Sequence, residues 1–222
     1  MLSYTEPSYI ETAKMVAEGR TLAPPMADLA SWIAGQYDVS APINIRLVNI
    51  DPLRIKKRLR VIFRDERDAR LFNRANSVDY DSTRAAAIIA RFREVAEGTP
   101  LAVRPSNILF ATFSSFEKAA RWKANSSIPD DQIGRLEAKL AAHQIWKVYP
   151  LFDTVVFFFH TDAQLAASAT SGAREACEEV YAQALKPYDR YGFFAKRPIR
   201  AFFDSQEAFE RDFGGSWFAY RR

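Results

Sequence analysis

The residues best suited to acid–base or metal chemistry are two histidines and a nearby aspartate. His143 and His160 are the two histidines of the 222-residue chain, and Asp162 closely follows the second. If the apolar segments around Phe152-Asp153 form a hairpin, Ile145 faces His160 and His143 lies just beyond this pair. Two imidazoles and a carboxylate can bind a metal ion or share a proton. An enzyme with these catalytic residues is therefore one hypothesis, and two unrelated histidines near strand ends are its alternative.

The single cysteine, Cys177, is a candidate thiol nucleophile with His160 as its base. Its position in an apolar helical stripe favours a buried side chain instead. One cysteine excludes an intramolecular disulfide, which fits a reducing compartment. The sequence contains no glycine-rich nucleotide loop and no zinc-protease, serine-hydrolase or paired-cysteine motif. We therefore predict no cofactor and no metal, and favour a non-catalytic role.

The strongest charge asymmetry lies between Arg46 and Arg74. Ten Lys or Arg and four Asp or Glu residues give this segment a net charge of +6, against +4 for the whole chain. Strict alternation over 55–64 predicts a strand with a basic ridge on one face. The predicted binding residues are Arg46, Lys56, Arg58, Arg60 and Arg64. This surface suits an acidic protein partner or a phosphate-bearing ligand, and its alternative is a solvated edge protected by cations.

Cations and aromatic residues are interleaved near the C-terminus. They are Tyr188, Arg190, Tyr191, Phe193, Phe194, Lys196, Arg197, Arg200, Phe202, Phe203, Trp217, Tyr220, Arg221 and Arg222. Exposed aromatic rings beside arginine can stack on nucleobases, so a nucleic-acid-binding protein is a further hypothesis. No RNA-binding motif accompanies these residues. The alternative is a set of strands that bury every second ring.

The second predicted hairpin, Ile145–Leu151 and Thr154–His160, is apolar on both faces. Both faces of its sheet should therefore be covered. The cover could come from the same chain, from a second copy in an oligomer, or from another partner. The sequence leaves these alternatives open.

Periodicity and turn residues predict the elements that position these side chains. Helices are predicted at about 5–19, 25–38, 66–73, 82–97, 114–123, 129–143, 172–185 and 204–213, with a further helical segment capped by Thr161. Strands are predicted at 43–50, 55–64, 108–113, 145–151, 154–160, 199–203 and 216–220. Ser114 with Glu117, and Asp204 with Glu207, have the spacing of capping boxes.

The order of these elements repeats along the chain. The segments 113–117 and 203–207 match at an offset of 90, and 61–63 matches 155–157 at an offset of 94. We therefore predict an internally duplicated α+β fold. Each helix-strand-strand-helix-strand-helix unit would hold an antiparallel sheet covered by helices.

The predicted organisation is an N-terminal helix at 1–24, a first unit at 25–125 and a second unit at 126–222, which together could form one pseudo-dimeric domain. The start of the chain lacks the basic and apolar regions of a signal peptide. No apolar run is long enough to cross a bilayer. The leading hypothesis is a cytoplasmic, non-catalytic interaction module that binds through the basic first hairpin and has no membrane partner.

Overall fold

The computed structural model describes residues 2–53, 55–74 and 79–221. The chain divides into two compact units, Met1–Ala119 and Ala120–Arg222. Helices and two three-stranded sheets occur together in an α+β fold, which confirms the predicted class. Within the described ranges, no helix combines the length and the apolar character needed to cross a membrane.

The first unit begins with two helices that precede its sheet. Its elements are α1 (Pro7–Ala17), α2 (Met26–Tyr37), β1 (Asn44–Asn49), β2 (Lys56–Phe63), α3 (Glu66–Arg70), α4 (Ser82–Ala96), β3 (Ile108–Ser115) and the start of α5 (Phe116–Asn125). The observed helices and strands lie close to the predicted ones because apolar periodicity and Pro or Gly boundaries coincide in this half of the chain.

The second unit has a similar order of elements and a longer C-terminal segment. Its elements are α6 (Asp130–Leu140), a 3₁₀ turn (Ala141–His143), β4 (Ile145–Leu151), β5 (Thr154–Phe159), α7 (Asp162–Ala167), α8 (Ala173–Leu185), a second 3₁₀ turn (Lys186–Tyr188), α9 (Phe193–Lys196), β6 (Arg200–Ser205), α10 (Gln206–Phe213) and α11 (Trp217–Tyr220).

Each sheet pairs an antiparallel hairpin with a parallel third strand. In the order β1-β2-β3, Arg46 lies opposite Arg60 on the antiparallel side, and Phe63 pairs with Ser115 on the parallel side. The order β4-β5-β6 repeats this arrangement. The antiparallel hairpins agree with the prediction, but the sheets are mixed rather than antiparallel. The third strand is parallel because the chain crosses back through helices before forming it.

Two equivalent hydrogen bonds accompany the common order of elements. The Glu117 carboxylate accepts from the amide of Glu66 at 2.9 Å, and the Glu207 carboxylate accepts from the amide of Asp162 at 2.8 Å. These contacts are consistent with duplication, which stays a prediction.

The caps that precede α5 and α10 differ from the predicted ones by one residue. Ser115 accepts from the amide of Lys118, and Ser205 accepts from the amide of Ala208. Strands β3 and β6 both continue two residues beyond the predicted strand ends, so the hydroxyl that satisfies the first free amides belongs to the residue after the predicted cap. Ser114 and Asp204 were therefore the wrong caps.

The core of the first unit lies on one face of its sheet. Leu59, Val61 and Phe63 alternate along β2 and are fully buried, as are Leu29 of α2 and Phe92 of α4. The predicted alternation of β2 is confirmed on this face. The arginines of β2, Arg58 and Arg60, lie on the opposite face.

The sheet of the second unit is covered on both faces by the same unit. Phe157 and Phe159 pack in a cluster with Tyr181 of α8. On the opposite face, Phe158 packs under Phe209 and the ring of Trp217. The expectation that both faces are covered is confirmed, and intramolecular burial supplies the cover.

The predicted final strand at 216–220 is wrong, because this segment forms α11. Gly214 and Gly215 adopt positive φ angles and reverse the chain after α10. The Ser216 hydroxyl then caps the helix by accepting from the amide of Ala219 at 3.3 Å. The strand prediction missed that a single helical turn brings residues three apart onto one face.

Candidate functional site

The first hairpin consists of β1 and β2, and the turn between them, residues 50–55, forms its tip. A carboxylate closes this turn. Asp51 accepts hydrogen bonds from the amides of Ile55 at 3.2 Å and Lys56 at 2.7 Å. The amide of Ile50 donates to the carbonyl of Lys56 at 3.1 Å, which continues the pairing of β1 with β2. These hydrogen bonds fix the backbone geometry of the described residues of the tip.

Large aliphatic side chains are exposed around this tip. The exposed fractions are 39% for Ile50, 79% for Leu53, 44% for Ile55 and 54% for Ile108. The backbone of Ile108 adjoins the tip, because its amide donates to the carbonyl of Ile55 at 3.0 Å. Clustered exposed aliphatic residues are typical of interaction surfaces.

A depression of about 460 Å³ lies beside these residues. Its lining includes Leu53 and Ile55 together with the cationic side chains of Lys57 and Arg104. None of the described residues that line it is acidic. The Lys57 ammonium donates to the side chain of Asn49 at 2.8 Å, which directs it across to the neighbouring strand β1. The described lining of this depression thus combines aliphatic surface with two cationic side chains.

The predicted basic ridge is only partly exposed. Lys56 and Arg64 are exposed at opposite ends of β2. Arg58 is half-buried, with its guanidinium 5.7 Å from the centre of the Phe110 ring. Arg60 is 5% exposed. The expectation that Arg60 lies on a free surface is therefore wrong.

The N-terminal segment covers the middle of this ridge. Arg60 is ion-paired with Glu6, and the Arg46 guanidinium donates to the carbonyl of Pro7 at 3.0 Å. The side-chain amide of Asn44 donates to the Thr12 hydroxyl at 2.8 Å. Alternation along β2 indicates which residues share a face, but it does not indicate which helix covers that face.

Glu6 stays ionised in this environment. Partial burial acts to raise its pKa, but a hydrogen bond from the Ser3 amide and the charges of Arg60 and Arg58 outweigh burial and lower the pKa. The buried guanidinium of Arg60 thereby keeps a counter-ion. Of the residues predicted for the ridge, Lys56 at the hairpin tip and Arg64 at the other end of β2 remain exposed.

The structure does not bring the predicted catalytic residues together as a metal site. His143 is exposed in a 3₁₀ turn, and His160 is exposed just after β5. The predicted register holds from Lys147 onward, but it shifts before this residue, so Ile145 pairs with Phe159 instead of His160. Within residues 2–53, 55–74 and 79–221, no three His, Cys, Asp or Glu side chains are placed to hold a metal ion.

Asp162 has contacts other than the histidines. Its carboxylate accepts from the Ser205 hydroxyl and, at 2.7 Å, from Arg211. These two groups lower the pKa of Asp162. His143 lines a shallow depression to which neither His160 nor Asp162 contributes. The three residues do not line a common depression, and their acid–base role stays a prediction.

Cys177 is fully buried in the core of the second unit, as its helical stripe predicts. Burial, with a smaller contribution from the charge of Glu178, raises the pKa of its thiol to about 12. A neutral thiol without solvent access is a poor nucleophile.

The C-terminal aromatic residues mostly serve packing. The ring centre of Trp217 lies 4.5 Å from that of Tyr149 and 4.3 Å from that of Phe209. Phe202 remains exposed, with the Arg200 guanidinium 4.8 Å from its ring centre. Arg222, which belongs to the predicted set, lies outside the described residues.

Sequence reasoning emphasised the cations of the first hairpin and missed its aliphatic tip. The available signal was the placement of Leu53 and Ile55 in a turn segment, where polar residues are usual. No family model, curated protein or solved structure matches this chain.

Proposed function

We propose that this chain is a non-catalytic binding module that docks an acidic segment of a partner protein at the tip of the first hairpin. The observation that carries the proposal is the depression lined by Leu53, Ile55, Lys57 and Arg104, which places exposed aliphatic groups beside cations. We include a cytoplasmic location in the proposal.

The two kinds of side chain have different roles in this binding. Burial of Leu53, which is 79% exposed, supplies apolar contact area. Lys57 and Arg104 line the depression and orient carboxylates, while Lys56, on the other face of β2, adds long-range attraction. These charges favour association with acidic partners and disfavour basic ones. The partner segment should therefore carry Glu or Asp residues together with at least one aliphatic residue.

Synthetic peptides test the proposal directly. A fluorescently labelled peptide of alternating Glu and Leu is titrated with the protein and compared with Glu/Ser and Lys/Leu peptides of equal length. We expect binding of the Glu/Leu peptide that weakens as salt rises, with weaker binding of the other two. A labelled single-stranded oligonucleotide serves as a fourth probe, and preferential binding of that probe would contradict the proposal.

Two matched variants locate the binding surface. The double substitution Lys56→Glu and Lys57→Glu should abolish peptide binding, and Leu53→Ser should weaken it. The control combines Lys14→Glu with Lys139→Glu, which changes the net charge equally on exposed helix positions outside the hairpin. Equal loss in the control and the hairpin variant would show that only net charge matters, and the proposed surface would be wrong.

A further inference from the structure

A second cavity lies at the opposite end of β2 from the hairpin tip. It has a volume of about 310 Å³ and opens where β2 and β3 end, beside the start of α3 and α5. Lys56 and Phe63 mark the two ends of β2, and they are roughly 23 Å apart at the usual rise of a strand. The carboxyl ends of parallel strands are common places for ligand binding. This site is therefore separate from the proposed peptide surface.

Two hydroxyl groups line the cavity without hydrogen-bond partners among the described residues. Ser114 is 7% exposed, and its hydroxyl makes no hydrogen bond within this part of the chain. The Tyr80 hydroxyl has no such bond there either, and burial raises its pKa although Arg60 and Arg58 act to lower it. Among the described residues, neither hydroxyl oxygen belongs to the fully buried side-chain atoms that lack a partner, so both reach the solvent of the cavity. An acceptor on a bound molecule can replace water at both groups.

The charged side chains among the described residues that line the cavity are Glu66, Arg70 and Lys118, which sum to one positive charge. The Glu66 carboxylate, buried at 7% exposure, lies 2.8 Å from Arg70 and 3.8 Å from Lys118. The longer distance leaves the Lys118 ammonium with donor capacity for another acceptor. Phe113 and Leu2 supply apolar lining. The cavity thus offers an ammonium and two hydroxyl donors next to an apolar wall.

The corresponding strand ends of the second unit are satisfied by that unit's own side chains. There the Asp204 carboxylate accepts from the Tyr220 hydroxyl at 2.8 Å, and Asp162 accepts from Ser205 and Arg211. The open donors at Ser114 and Tyr80 are therefore not a necessary consequence of this topology. Their presence in the first unit indicates a binding site.

We propose that this cavity binds a small monocarboxylate with an apolar body. Lys118, Ser114 and Tyr80 would hold the carboxylate, while Phe113 and Leu2 would contact the apolar part. A single excess positive charge suits a monoanion. A phosphate dianion would carry more charge than the cavity neutralises and would leave the apolar wall without a contact.

Nuclear magnetic resonance titrations test this proposal with defined probes. The protein is titrated with propionate, isobutyrate, benzoate and phenylacetate, with the primary amide of each, and with inorganic phosphate. We expect at least one carboxylate to shift the amide resonances of Ser114, Tyr80 and Lys118. The matched amide should bind about tenfold more weakly, because hydrogen bonds to a charged acceptor are the stronger ones.

Variants distinguish the cavity from other surfaces. Lys118→Met and Ser114→Ala should each weaken carboxylate binding by up to about tenfold, while the exposed controls Lys139→Met and Ser126→Ala leave it unchanged. If Lys118→Met does not fold, Ser114→Ala carries the test. The hairpin variant with Lys56→Glu and Lys57→Glu should bind the carboxylate normally, so failure of one proposal is separable from failure of the other.

The proposal is overturned by any of four results. These are no binding of any carboxylate, equal binding of carboxylate and amide, shifts confined to residues away from the cavity, or tighter binding of phosphate than of every carboxylate.

Discussion

The buried guanidinium of Arg60 is ion-paired with the carboxylate of Glu6, which lies just before α1. The Arg60 side chain is 6% exposed and that of Glu6 is 34% exposed. The pair joins the N-terminal segment to the central strand of the first sheet. The two partners should therefore differ in what their removal costs.

Glu6→Gln should lower the free energy of unfolding by about 1–3 kcal/mol, because it leaves a buried guanidinium without its counter-ion. Arg60→Met should cost less, because it removes the buried charge and keeps a side chain of similar length. The double variant should resemble Arg60→Met. Urea denaturation of the wild type, the two single variants and the double variant measures these free energies of unfolding. A larger loss of free energy in Arg60→Met than in Glu6→Gln would contradict the prediction.

The ion pair of Glu6 with Arg60 should also make the free energy of unfolding depend on pH. The folded pKa of Glu6 lies below its ordinary value of 4.5. The stabilisation is therefore fully present above this value and is lost as the pH falls through the lower, folded pKa. Comparing acid unfolding of the wild type with Arg60→Met isolates this contribution, and identical curves below pH 4.5 would exclude it.

The contacts of Arg121 indicate that lysine cannot replace arginine at this position. Its buried guanidinium donates to the carbonyls of Phe193 at 3.2 Å, Arg197 at 2.6 Å and Pro198 at 3.2 Å, and lies 4.0 Å from the ring centre of Phe194. An ammonium group has neither the planar fork nor the reach to serve three carbonyls.

Arg121→Lys should therefore lower the free energy of unfolding by about 2–4 kcal/mol. The control Arg135→Lys, at a side chain that is 79% exposed, should change it by less than about 0.5 kcal/mol. Chemical denaturation measures both variants. Similar small losses in the two would show that the carbonyl contacts of Arg121 contribute little.

Neighbouring residues of α11 give a matched comparison of a partly buried ring with an exposed one. Trp217→Ala should lower the free energy of unfolding by about 2 kcal/mol, because this ring covers Phe158 and Phe209. Phe218→Ala, at a ring that is 69% exposed, should change it by less than about 0.5 kcal/mol. Trp217→Ala should also bind a hydrophobic dye more strongly than the wild type. Equal losses of stability in the two variants would show that α11 does not cover Phe158 and Phe209.

Local sequence patterns predicted most of the elements because apolar periodicity reflects which face of each element is buried. The alternation of Leu59, Val61 and Phe63 and the continuous apolar run of β5 are examples. The segment 216–220 was assigned wrongly because five residues with three aromatic rings fit a strand and a helical turn equally well.

Contacts between distant residues could not be predicted in this way. Asn125 donates to the carbonyls of Phe152 and Thr154 and accepts from the Tyr181 hydroxyl, which joins three separate segments. The cover over Arg60 and the cavity at Ser114 arise in the same manner. Such relationships depend on tertiary packing, to which patterns within one element are insensitive.

Cys177 provides a final prediction about reactivity. Because the thiol is fully buried and its pKa is raised to about 12, a disulfide reagent at pH 8 should react only when the protein opens. The thiol should also destabilise the fold as the pH rises above its ordinary pKa of 9.0, since the unfolded chain then releases a proton that the folded chain retains. Cys177→Ala serves as the control and should lack this alkaline contribution. Rapid labelling of the native protein would show that the thiol is accessible and would restore Cys177 as a candidate nucleophile.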